Sequence, residues 1–63
     1  MEIAEEIVTL NDRLLKLYGI KWSNGAVCFT ENIREAENLL VFLIENEVEE
    51  NQIFDVIEDL FYT

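Results

Sequence analysis

A chain of 63 residues can bury one hydrophobic core and no more. A domain of that size removes only about 60% of its unfolded surface from water, so its stability margin is thin. The apolar fraction is 51% and proline is absent, a composition that folds rather than remaining disordered. Residues 1–63 are therefore expected to form a single compact domain, with partner binding or pairing of two copies supplementing the small core.

Apolar residues at Ile3, Ile7, Leu10, Leu14 and Leu17 follow a 4-3-4-3 spacing that lines one stripe of a helix. This spacing predicts a helix over residues 2–18, with Gly19 in the left-handed position just past its last turn. Asn24-Gly25 is the dipeptide best suited to a type I′ hairpin turn. Centred there, a hairpin sets Trp22 opposite Val27 and Ile20 opposite Phe29, and sorts these four onto one apolar face. Lys21, Ser23, Ala26 and Cys28 then occupy the other.

A second helix is expected from about Glu31 to Glu45, capped by Thr30 or Asn32, with Glu35 three residues beyond Asn32 as in a capping box. Leu39 to Ile44 is apolar on every side. This marks a central helix touched from two directions, with a buried strand as the competing reading. Asn46 can close that helix. Val48 and Ile53 have the spacing of a hydrophobic staple, which predicts a third helix over residues 50–62. Its buried stripe would be Ile53, Val56 or Ile57, Leu60 and Phe61. The expected fold class is α+β, mostly helical, in the order helix, β-hairpin, helix, helix (αββαα).

Fourteen acids against four bases give a net charge of −10. Residues 1–29 hold four acids and three bases, net −1, whereas residues 30–63 hold ten acids and only Arg34, net −9. Direct binding of nucleic acid is disfavoured by that field. A helix bearing Glu50, Asp55, Glu58 and Asp59 would be repelled by phosphates even in a helix-turn-helix arrangement. Histidine is absent and cysteine occurs once, at Cys28, so triads and zinc clusters have no ligands or bases to draw on. There is no glycine-rich phosphate loop and no calcium-loop pattern. No catalytic, metal or cofactor residues are expected, and the chain reads as a non-enzyme. The longest apolar run, Leu39–Ile44, is far short of the ~20 residues of a membrane span. The Met1–Glu6 start lacks a secretion signal, so an intracellular, cytoplasmic location is expected.

Acids near helix starts are explained by the helix dipole. Glu45 and Glu47 close the second helix instead, and Asp55, Glu58 and Asp59 sit in the middle and end of the third. There they oppose the dipole and repel one another at helical spacing. With Glu49 and Glu50 they form the candidate partner-binding set. The leading expectation is a small acidic inhibitor that mimics nucleic acid and occupies the basic nucleic-acid-binding surface of another protein. In size and charge the chain is similar to small proteins of phages and mobile elements, anti-CRISPR and anti-restriction proteins among them. No motif ties it to a family. The alternative is a structural or regulatory adaptor that binds through apolar helix surface, as a homodimer in one version. Trp22, Phe42, Phe54 or Tyr62 exposed in one patch would favour it.

Overall fold

A computed structural model describes residues 1–61 and overturns the expected helix-first order. Three antiparallel strands come first: β1 (Glu2–Leu10), β2 (Arg13–Trp22) and β3 (Gly25–Thr30), in sheet order β1-β2-β3. Two helices follow, α1 (Ile33–Glu45) and α2 (Ile53–Phe61), the second entered through a single 3-10 turn at Glu50–Gln52. Strands and helices share the described chain equally, so the fold is α+β but not mostly helical.

The stretch 2–18 is not a helix because Asn11 and Asp12 break it. Both take positive φ, 52° and 63°, the pair of left-handed residues that a type I′ turn requires. Asn and Asp tolerate that conformation better than other side chains that carry a Cβ. The turn folds β1 back on β2 in one unbroken register, from Leu10 opposite Arg13 to Glu2 opposite Lys21. Ile3, Ile7, Val8 and Thr9 are β-branched, which favours the extended backbone.

The second hairpin forms, but its turn is Ser23-Asn24 rather than Asn24-Gly25. Trp22 pairs with Gly25, Lys21 with Ala26, Ile20 with Val27 and Gly19 with Cys28. None of Ser23, Asn24 and Gly25 has positive φ. Moving the turn centre by one residue shifts the pairing by two. Faces are thereby preserved, and the expected apolar face is kept although its partners change. Gly19 is not a helix cap but a mid-strand residue beside a bulge at Tyr18/Gly19. A Cβ there would lie 1.7 Å from the Val27 carbonyl oxygen, so only glycine lets β2 and β3 approach so closely.

The helices form where expected. Asn32 caps α1 by accepting from the Arg34 backbone N–H at 2.9 Å. Thr30 donates to Glu35 at 3.0 Å and accepts from the Asn32 N–H, which replaces the reciprocal half of the expected capping box. At the other end Val48 N–H reaches Leu43 O and Glu47 N–H reaches Ile44 O, the bond pattern of a Schellman cap with Glu47 in its left-handed position. Its φ is 50°.

Both helices lie on one face of the sheet. Ile20, Trp22, Leu39, Leu43, Ile53 and Ile57 form the buried core, with Ile3, Val27, Phe29, Leu40, Val48 and Val56 packed around it. Val48 and Ile53 thus both reach the core, as the staple requires. Burying a side chain of this size contributes about 1.5–3 kcal/mol. α1 is not sandwiched from two sides: Val41, Phe42 and Ile44 are exposed. On α2 the buried residues are Ile53 and Ile57, while Leu60 and Phe61 of the expected stripe are exposed, Phe61 with its ring tilted on that of Phe29. The last predicted helical residue, Tyr62, lies outside the described residues.

Candidate functional site

The two layers differ in charge. Among the described residues the ion pairs lie on the sheet: Lys16 to Glu5 at 2.6 Å and Lys21 to Glu2 at 3.7 Å. The helical layer has one base, Arg34, and no base in the last turn of either helix. All seven candidate residues, Glu45, Glu47, Glu49, Glu50, Asp55, Glu58 and Asp59, are exposed. Asp55, Glu58 and Asp59 share the face of α2 opposite buried Ile53 and Ile57, because residues three and four apart stack on one side of a helix. α2 begins only at Ile53, so Asp55 lies in its first turn, where the dipole favours a carboxylate and does not oppose it as expected. Glu45 and Glu47 crown the C-terminal end of α1. Glu49 and Glu50 lead into α2, and Glu50 accepts a 2.7 Å hydrogen bond from the Ser23 hydroxyl.

Glu47 is the most informative of these. Its left-handed backbone is a site where glycine is favoured, and a residue with a Cβ there costs about 1–2 kcal/mol. Glu47 also lies at the negative end of the helix dipole, where a carboxylate is disfavoured. Local structure gains nothing from a glutamate at this point.

The sequence pattern gave no warning of a second surface. Pairing places Glu5 opposite Tyr18, Ile7 opposite Lys16 and Thr9 opposite Leu14 on the face that carries the core. The helices cover only its lower half. Lys16, bonded to Glu5 and 5.9 Å above the Tyr18 ring, draws a polar belt where the core ends. Beyond this belt the β1-β2 hairpin projects as an arm with Ile7 65%, Leu10 58% and Leu14 76% exposed. The signal that could have revealed the arm was Asn11-Asp12, two turn-forming residues inside the apparent helical stripe. Among the described residues no helix covers the sheet's outer face, where Val8, Leu15, Leu17 and Cys28 are half-buried. On it, burial first, then the charge and hydrogen bond of Glu6, push the Cys28 thiol above its ordinary pKa.

The aromatic residues do not gather into one patch. Trp22 is buried and Phe54 packs edge-on against it at 5.2 Å. Phe42 lines a separate shallow groove with Leu39, Leu60 and Phe61, Glu35 and Asn38 at its rim. Tyr62 is outside the described residues. The carboxylate of the Phe42 groove is Glu35, and Glu50 lines another with Trp22 and Phe54. Among the described residues no three His, Cys, Asp or Glu side chains converge to hold a metal, and no helix is long and apolar enough to cross a membrane. Compared with family models, curated proteins and solved structures, the chain matches none.

Proposed function

We propose that this protein is a non-catalytic binding domain whose acidic helical layer docks on the basic, nucleic-acid-binding surface of another protein, its carboxylates standing where phosphates would lie. The observation that carries the reading is the placement of acids where they destabilise the fold. Glu47 occupies a glycine-type cap, Glu45 the negative end of a helix dipole, and Glu58 the face of α2 beside Asp55, a like charge three residues away. A solvating surface has no need of acids at these particular points. Steering by a field of this sign accelerates encounter with a basic surface.

The test is retention of basic proteins from a lysate on the immobilised domain, washed at rising salt. Bound nucleic-acid-binding proteins should elute steeply with salt, and be displaced by their own nucleic acid. An Asp55→Lys, Glu58→Lys variant should retain far less. Retention indifferent to salt and to these substitutions would sink the proposal. A second reading, an adaptor that binds through apolar surface, is favoured by the exposed hairpin arm and by Val41, Phe42, Ile44 and Leu60 exposed on the helices.

A further inference from the structure

We propose that the open edge of β1 is a pairing surface for a second copy of this chain, joining two sheets into one antiparallel sheet of six strands. Among the described residues β1 hydrogen-bonds to β2 alone. Its outer edge therefore presents unpaired backbone groups along nine residues, about 30 Å at the usual strand rise. The other edge is a poorer template: β3 has six residues and follows the bulge at Tyr18/Gly19. β1 has neither bulge nor proline.

Charge favours a second copy and, together with the length of the ladder, sets the register. The chain carries −10, yet residues 1–29, which include the whole sheet except Thr30, amount to −1, and Glu2 and Glu5 already have Lys21 and Lys16 beside them. α2, with Asp55, Glu58 and Asp59, packs over β2 and β3 through Trp22-Phe54 and Phe29-Phe61, away from the β1 edge. Two copies can thus meet along β1 without bringing their most acidic helices together. A two-fold axis through an antiparallel pair keeps matching faces together, so each possible register centres on one residue set against itself. Centring on Glu5 or Glu6 opposes like charges, and centring on Ala4 sets Glu2 against Glu6. Of the centrings that oppose none, that on Ile7 gives the longest ladder. It pairs Ile7 with itself, Glu5 with Thr9, Val8 with Glu6 and Ala4 with Leu10 across residues 4–10. It also covers the edge of a side chain that is 65% exposed. Both helical layers then lie on the same side of the joined sheet.

An edge interface is at the small end of the range, below about 1,200 Å² in total, so association belongs at micromolar and higher concentrations. Sedimentation equilibrium from about 10 µM to 1 mM in 0.15 M salt should show a mass rising from 7.4 kDa toward twice that value. Ile7→Lys, which puts two cations at the axis, should hold the chain at its single mass with an unchanged far-UV circular dichroism spectrum. In a Cys28→Ser background, Ile7→Cys should cross-link on mild oxidation and Glu2→Cys should not, a comparison that decides the register even if Ile7→Lys fails to fold. A single mass throughout, a dimer indifferent to Ile7→Lys, or equal cross-linking at both positions overturns the proposal. It stands or falls independently of the acidic layer, since none of these readouts involves another protein.

Discussion

At Gly19 the backbone of two strands comes so close that a methyl group has nowhere to go, since the obstacle is the Val27 carbonyl and not a movable side chain. Gly19→Ala should cost about 2–4 kcal/mol, read as a lowered denaturant midpoint, because relief requires β3 to shift. Glu47→Gly should do the reverse and stabilise by roughly 0.5–1 kcal/mol, the left-handed penalty less the entropy that glycine brings. If the proposed docking is right, this stabilised variant binds its basic partner more weakly. Higher stability with undiminished affinity would remove Glu47 from the site. Cys28 offers a residue-scale test by pH. Its raised pKa means that the folded state holds the proton more tightly. The stability it contributes is present below the ordinary thiol value and lost as pH rises through the raised one. Iodoacetamide should therefore label the folded protein with a midpoint above that of the urea-unfolded chain, and Glu6→Gln should lower the midpoint. Equal midpoints for folded and unfolded chain would contradict this account of the outer face.

Elements were legible in the sequence where local chemistry is one-sided. Asn32, Asn46 and the Val48-Ile53 pair each signal a helix boundary, and α1 and α2 lie within two or three residues of those signals. The first eighteen residues were not legible, because a hairpin arm that projects past the core has no strict inside and outside. Ile7, Val8, Leu14 and Leu15 are apolar on both faces, and the run of apolar residues then imitates a helical stripe. The deciding information was the conformational tolerance of Asn11 and Asp12, a property of two residues and not of the period. In the second hairpin, face sorting excluded a one-residue slip but could not distinguish pairings two apart, so the faces were readable and the partners were not. Of the candidate site, exposure of all seven acids followed from their positions on the helices and on the connection between them, whereas the apolar arm was hidden by the wrong element. If the first turn is indeed what defines the arm, Asp12→Gly should raise stability by about 0.5 kcal/mol, since Asn-Gly suits the type I′ turn better than Asn-Asp. A loss of stability on thermal melting would mean that the Asp12 side chain does more than tolerate its φ.

Over the whole molecule the decisive quantity is the distribution of charge in relation to size. The principal extents are 39, 25 and 19 Å. At 10 mM salt the screening length is about 30 Å, so most of the ten excess negative charges repel one another across the entire domain. At 1 M it is about 3 Å, and only adjacent carboxylates still interact. Self-repulsion of this kind destabilises a compact state and is relieved by screening, while the two sheet ion pairs that salt would weaken are exposed and contribute little. Raising sodium chloride from 10 mM to 0.5 M should therefore increase the melting temperature, by about 5 °C if the relief is near 1 kcal/mol. The same salt should release a basic partner. These opposite responses separate the two roles of one charged layer: the acids repel one another within the fold and attract across an interface. A melting temperature that is flat or falls with salt would mean that the acids are spaced widely enough for the fold to tolerate them. The case for their selection by a partner would then rest on Glu45 and Glu47 alone, where the cost comes from the helix end and the backbone and not from neighbouring carboxylates.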